Sequence, residues 1–206
     1  MKHSHPIVAA VYDRMTESDE RRVLGRLRAD VVGQATGTVI EVGAGTGRNL
    51  PHYRAESIRE LKVVEPDPYM RQRAESRAAT VRFRVDFLDG TAEFLPFPDE
   101  SADSVVATLV LCSVDRPEEA VRELRRVLKP GGMLLFIEHI RSEEPWRSRL
   151  QDWVTPLWRR VAANCHPNRS SLALFEDAGF EVKVSDRASA GFPWIPPIVA
   201  GVATRA

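Results

Sequence analysis

Cysteine is nearly absent from this 206-residue chain, which has only Cys112 and Cys165. Two thiols cannot build a disulfide framework, one bridge is the most they allow, and their spacing is not that of a zinc site. His, Asp and Glu form no cluster at ligand spacing either, so no metal is expected. Neither sign of charge prevails, with 29 Lys and Arg against 29 Asp and Glu. A chain without net charge projects no global field toward polyanions, which argues against nucleic acid as a partner. Long apolar runs are missing as well. The opening MKHSHPIVAAVYDR has only a few apolar residues in a row before Tyr12 and Asp13, far short of a signal-peptide core or a spanning helix. The expectation is a protein without a membrane anchor of its own, not secreted, in a reducing cytoplasm. Repeats and low-complexity segments are lacking too, and the sequence fixes no oligomeric state.

What is present is an alternation of short apolar strands and amphipathic helices. The length suits one domain with a substantial core, expected as a helical cover at 1–36, a core at 37–140 and a closing portion at 141–206. Val23, Leu24, Leu27, Val31 and Val32 recur at three- and four-residue spacing within 17–34, which predicts a covering helix. TVIEV at 38–42 reads as a buried strand, followed by the glycines at 43, 45 and 47 and a helix expected over 48–56. LKVVE at 61–65 is a second strand, 70–79 a helix and 81–87 a third strand of period two. Two prolines, a glycine and several acids make 88–103 a loop. SVVATLVLC at 104–112 has the aliphatic character of a central parallel strand. Pro117 opens a helix that places Ala120, Val121, Leu124, Val127 and Leu128 on one face until Pro130-Gly131-Gly132 ends it. MLLFIEH is the next strand, 145–162 is helical apart from Pro156, a short helix closes at Gly179, and 180–185 and 196–204 are the last strands. Strands alternating with helices, joined by right-handed crossovers, predict an α/β fold. Its doubly wound, Rossmann-like sheet of seven mostly parallel strands carries helices on both faces.

The motif that carries chemistry is Glu41-Val42-Gly43-Ala44-Gly45-Thr46-Gly47, directly after a strand. Glycines there allow a tight turn and close backbone approach to a ligand. A dinucleotide fingerprint would need a third glycine at 48, where Arg48 stands, so a pyrophosphate over a helix N-terminus is not specified. Glu65 ends the second strand about twenty residues on, where an acid can accept both hydroxyls of a ribose.

From Tyr12 to the C-terminus these features resemble the class I methyltransferase family. The resemblance implies a cofactor, S-adenosylmethionine, released as S-adenosylhomocysteine, with 37–140 holding it and 141–206 on the substrate side. In the family, the loop Glu41 to Gly47, including Gly43, Ala44 and Gly45, would cradle the methionine part. Glu65 would hold the ribose, and Gly90, Thr91, Ala92 and Glu93 would flank adenine. Asn49, Pro66, Thr108 and Leu109 would complete the cofactor site. Many members read Gly-Asp-Ala-Glu where this chain has Gly90-Thr91-Ala92-Glu93, so adenine contacts fall to the Ala92 backbone and a hydroxyl, or to Asp86 or Asp89. LPFPDESAD and LVLCSVDRPEEAVRELRRVLKPGG match the family closely. TLVLCSV, RRVLKPGG and an Ile-Glu-His segment look like the methyltransferase-like enzymes that S-methylate alkyl thiols, whose N-terminal hydrophobic anchor has no counterpart here. Tyr12-Asp13 is shared with quinone-biosynthesis C-methyltransferases.

The resemblance thus implies methylation of a small-molecule acceptor, a thiol before a hydroxyl or carbon of a secondary metabolite or quinone. A protein or nucleic-acid methyltransferase and a silent cofactor-binding module are the other readings. The first lacks a basic stripe and an Asn/Asp-Pro-Pro-aromatic tetrapeptide, and against the second stand the intact glycines and Glu65. His139, after the fifth strand, has the pKa of a proton acceptor, and the same position suits a strand-capping histidine. His166, in Cys165-His166-Pro167-Asn168-Arg169, is the second catalytic candidate; that segment also reads as a capped turn, with Asn168 or Ser170 as N-cap. Cys112 reads as small core. Trp146, Trp153, Trp158, Trp194 and Phe192 either line an acceptor pocket or pack on the sheet, as the spacing of Trp146, Leu150, Trp153 and Leu157 suggests. Tyr12 and Arg14 would close over the cofactor carboxylate.

Overall fold

β1 (Gly37–Val42) is buried along almost its whole length, as a strand with neighbours on both edges and layers on both faces must be. It is an interior strand, third from one edge, of a seven-stranded sheet in a computed structural model that describes residues 6–161, 164–188 and 196–206. The order is β3-β2-β1-β4-β5-β7-β6, with β2 at Ile58–Val64, β3 at Val85–Leu88, β4 at Ala102–Thr108, β5 at Leu128–His139, β6 at Phe180–Ala188 and β7 at Ile198–Arg205. The first five strands are mutually parallel, and β7 is antiparallel to both β5 and β6. Successive connections run outward one way from β1 and the other way from β4, so the crevice between their carboxyl ends is the switch point where ligands bind.

Helices cover both faces. Ile40, Val42, Val105, Leu134 and Phe136 pack with Ala120, Val121, Leu124 and Val127 of α4 (Pro117–Val127) and Phe175 of α6 (Ser171–Asp177). On the other face Val39, Val63, Val106, Leu135 and Ile137 meet Leu27, Val31 and Val32 of α2 (Gly25–Val32). α3 (Pro68–Ala78) begins where the Asp67 carboxylate accepts from the N–H groups of Tyr69 and Met70, an N-cap with Pro68 at the first helical position.

Several expectations are corrected. The third strand is Val85–Leu88 rather than 81–87, and the helix expected to carry Leu128 and run to Pro130 ends at Val127, so that β5 begins at Leu128 rather than at Met133. The covering helix starts well before 17: α1 (Pro6–Asp19) runs through a π-helical turn (Glu20–Leu24) into α2. The helix expected over 48–56 is a single 3₁₀ turn, Leu50–His52, because the side chains of Asn49 and Tyr53 are drawn down onto Glu41. The strand expected to reach 112 stops at Thr108: Leu109 takes φ 58°, and the next three N–H groups go to the Glu138 carboxylate. In α5 (Pro145–Val161), Trp146, Trp153 and Leu157 are exposed rather than packed on the sheet. The inward face is set by buried Gln151 and Thr155, whose polar groups bond inward: Gln151 Nε2 donates to the carbonyls of Ile140 and Pro167, and Thr155 Oγ1 to that of Gln151. Phe192 and Trp194 lie outside the described residues.

Candidate active site

Beneath the glycine loop lies a buried polar network. Glu41, with no exposure, accepts from Asn49 Nδ2 and from Tyr53 Oη, each at 2.8 Å. Arg28 of α2 reaches the same place, its Nη1 donating to Asn49 Oδ1 at 2.5 Å and Thr108 Oγ1 at 3.0 Å, its Nε to Glu20 at 3.0 Å. Burial raises the Glu41 carboxyl, against the donors on it. A buried carboxylate with fewer donors would be costly, so this network locks loop to sheet.

Above it opens a cavity of about 520 Å³, within the range of sites that hold a cofactor-sized ligand. Gly43, Ala44, Gly45, Glu65, Pro66, Thr91, Ala92, Glu93, Thr108 and Leu109, all singled out from the sequence, line it. Glu41, Gly47, Asn49 and Gly90 do not: the first and third sit in the network below, Gly47 abuts Ala74 of α3, and Gly90 abuts Pro96. Two of the glycines serve different needs. At Gly43, φ 66°, a Cβ would come within 2.7 Å of Val110 Cγ2, whereas at Gly45, φ 56°, nothing lies within 4 Å of it. Gly43 thus admits a close neighbour, and Gly45 leaves room for a ligand against bare backbone.

Glu65 stands at the mouth of β2, 7% exposed. Its Oε2 accepts from Gly45 N–H at 2.7 Å and its Oε1 from Asp67 N–H at 2.9 Å, so it braces the loop and keeps a lone pair on each oxygen for the cavity. Burial raises its pKa. Residues the sequence did not flag also line the cavity, among them Arg28, Arg48, Met70 and Asn164. Arg28 was hidden because its partners are 21 and 80 positions away. α1 closes over one side: Asp13 accepts from Thr46 Oγ1 at 2.6 Å, Arg48 Nε at 3.1 Å and Arg77 Nη2 at 2.9 Å. Tyr12 lines the cavity, while Arg14 is exposed and does not.

A second cavity, about 220 Å³, adjoins the first through the shared walls Tyr12, Leu109 and Ser113. Much of its lining is apolar, Val23, Leu24, Trp158 and Ile198 included, and its polar groups come from Thr16, Asp19 and Ser113 as well as from Cys112, His139 and Cys165. His139 Nδ1 is 3.6 Å from Cys165 Sγ and 3.9 Å from Cys112 Sγ. Burial works against an imidazolium, yet the Cys112 thiol and the Glu138 carboxylate outweigh it and raise His139. The neighbouring Cys165 thiol and burial push Cys112 well above the ordinary thiol value, whereas the Cys112 thiol beside it lowers Cys165. Glu138, pushed up to about 7 by burial, still accepts from the N–H groups of Val110, Leu111 and Cys112 and so shapes the turn between the cavities. His166 lines neither cavity. Its N–H donates to the Cys112 carbonyl at 2.6 Å, with Nδ1 3.2 Å from the same oxygen. Ser170 makes no side-chain cap, and Asn168 donates to Asp152 instead.

Residues 40–136 match the model of the family described as "Methyltransferase domain". Thiol S-methyltransferase TMT1B of Rattus norvegicus is 32% identical over 211 residues, covering 97% of this chain and 83% of that protein. Ubiquinone/menaquinone biosynthesis C-methyltransferase UbiE of Escherichia fergusonii is 30% identical over 205 residues, covering 87% and 82%. Among solved structures, an S-adenosylmethionine-dependent methyltransferase of Thermotoga maritima, described as a possible histamine N-methyltransferase, is 27% identical and covers 96% of this chain and 99% of that one with a TM-score of 0.66. No helix among the described residues is long and apolar enough to cross a membrane.

Proposed function

As the chain belongs to the class I S-adenosylmethionine-dependent methyltransferases, we propose that the acceptor on which it acts is a small thiol, methylated at sulfur. The observation that carries this reading is the 220 Å³ apolar cavity with an imidazole on its wall, joined to the larger one by Tyr12, Leu109 and Ser113. S-adenosylmethionine suits the larger cavity, where bare backbone at Gly45 faces open space and Glu65 retains lone pairs. When bound, the cofactor supplies an electrophilic methyl group on a sulfonium.

Gly43 to Gly45 would cradle its amino-acid part and Glu65 its ribose hydroxyls. Thr91 to Glu93 would border adenine, and Arg28 would take the carboxylate that Arg14 is too far out to meet. Displacement at a methyl carbon needs mainly alignment and exclusion of water, which the clasp of α1 through Asp13 and the apolar second cavity provide. A thiol with an ordinary pKa of about 8.5 needs only modest help to ionise. His139 would take that proton, and the His166 N–H bond to the Cys112 carbonyl supports the turn. The relatives that S-methylate thiols weigh in the same direction.

Purified protein is assayed with labelled cofactor against alkyl thiols, phenols, catechols and quinols, following S-adenosylhomocysteine. The highest kcat/KM is expected for a thiol; a phenol or quinol turned over in preference would refute the reading.

A further inference from the structure

Among the described residues, Cys112, His139 and Cys165 bring three metal-ligating atoms, Sγ, Nδ1 and Sγ, within 4.8 Å of one another. With zinc–sulfur bonds of about 2.3 Å and zinc–nitrogen bonds of about 2.0–2.1 Å, the sulfur–nitrogen edge of a tetrahedral site is about 3.6 Å. The two such edges here measure 3.6 and 3.9 Å. Each ligand is held by a different element. His139 ends β5, Cys112 sits on the turn that Glu138 clamps, and the neighbour of Cys165 is tied to Cys112 by the His166 N–H bond. All three border the smaller cavity. Before an acceptor binds, two thiolates and a divalent ion sum to zero charge, which a largely apolar cavity accepts where bare thiolates would be costly. Three protein ligands with a fourth position open to a cavity is the make-up of a catalytic zinc site. The buried Trp158 Nε1, without a nitrogen or oxygen partner, borders the same space and offers a donor to anionic sulfur.

We propose that Cys112, His139 and Cys165 bind a zinc-class divalent ion and that the acceptor thiol takes its fourth position as a thiolate. This deepens, and rests on, the S-methylation reading. As the thiol sulfur binds the ion its proton passes to solvent, since a coordinated thiol is deprotonated. A sulfur lone pair then forms the bond to the methyl carbon as the carbon–sulfonium bond breaks, its electron pair staying on the cofactor sulfur. The products are a neutral thioether, a weak ligand that leaves, and S-adenosylhomocysteine, with no net oxidation or reduction. With the ion bound, His139 is a ligand; proton uptake by its imidazole is the route of the ion-free protein.

The test titrates the full chain, freed of metal, with cobalt(II) and zinc(II). One equivalent of cobalt should give thiolate-to-cobalt charge-transfer absorption, and adding an alkyl thiol should change the visible cobalt bands. C112S and C165S should each weaken both ions more than about 100-fold, beyond what loss of a supporting contact costs, with circular dichroism and calorimetric affinity for S-adenosylmethionine unchanged as the check on folding. Absence of binding by the wild type, or binding equal in the variants, overturns the ligand assignment. Cobalt bands indifferent to thiol overturn the fourth-position assignment. Thiol turnover that is the same with and without zinc refutes the inference and leaves S-methylation standing. Failure to turn over any thiol at any zinc loading refutes S-methylation, while the cobalt spectra still decide the ligands.

Discussion

The backbone N–H of Leu111 meets Oε1 of Glu138 at 2.9 Å. Through it, and through the N–H groups of Val110 at 2.8 Å and Cys112 at 3.3 Å, one buried carboxylate sets the turn that borders both cavities. Glu138→Gln keeps a single acceptor oxygen and turns an amide N–H toward Cys112 N–H. The variant is expected to lose about 1–3 kcal/mol of stability, the cost of an unpaired buried polar group. Chemical denaturation of the two proteins measures it, and equal midpoints would show that the turn does not depend on this carboxylate.

Removing Glu65 takes away the brace on Gly45 and, with it, the acceptors proposed for the ribose. Glu65→Ala should weaken S-adenosylmethionine by about 10- to 100-fold, the loss of one or two hydrogen bonds to a charged group. Calorimetric titration reads this directly. Wild-type affinity would mean that ribose is held elsewhere.

Asp13 ties α1 to the loop at Thr46, Arg48 and Arg77. Burial would raise its pKa, but the Thr46 hydroxyl and Arg77 prevail and hold it below the usual 3.8. A depressed carboxyl pKa contributes stability at all pH above the unfolded value and loses it only as pH falls through the folded one, so the clasp persists across neutral pH. Asp13→Asn, costing about 1 kcal/mol as exposed ion pairs do, should speed hydrogen exchange in 6–32 and cofactor release while exchange in 37–42 stays slow. Unchanged exchange in 6–32 would mean that apolar contacts alone hold the cover down.

In the ion-free protein His139 must be neutral to accept a proton. Burial opposes the imidazolium, yet Cys112 and Glu138 raise the pKa above 6.5. Stability from the charged ring is therefore complete below pH 6.5 and fades as pH rises through the folded pKa, and the thiol kcat/KM is expected to rise over the same interval. His139→Asn should lower kcat/KM by about 10²–10⁴-fold, the contribution of general base catalysis, and remove that limb. A limb centred at or below 6.5, or one kept by the variant, would exclude the imidazole as base.

What the sequence disclosed was local. The face of α4, with Ala120, Val121, Leu124 and Val127 buried, follows from spacing alone, and Gly43, Gly45 and Glu65 stand at a strand end where backbone approach and an acid have obvious uses. What escaped depends on contacts between distant segments. Asn49 and Tyr53 abandon a helix because Glu41 must be satisfied in the core. Arg28 is one of several arginines within 17–34, and only its distant partners Asn49 and Thr108 set it apart. Cys112 read as small core because the other two members of its cluster lie 27 and 53 positions on, at His139 and Cys165. The tryptophans of α5 misled in the opposite sense, since apolar spacing names a stripe but not which way it turns when Gln151 and Thr155 find partners inside.

The two cavities share Tyr12, Leu109 and Ser113 but differ in what the later part of the chain adds to them. The larger one is walled by residues from Tyr12 to Asp115, with Asn164 alone beyond, whereas Trp158, Cys165, Ala188, Pro196 and Ile198 enter the smaller one from the segments after β5. If the smaller cavity takes the acceptor, as proposed, substitutions at Trp158, Ala188 or Ile198 would alter the acceptor range while leaving every residue of the larger cavity in place.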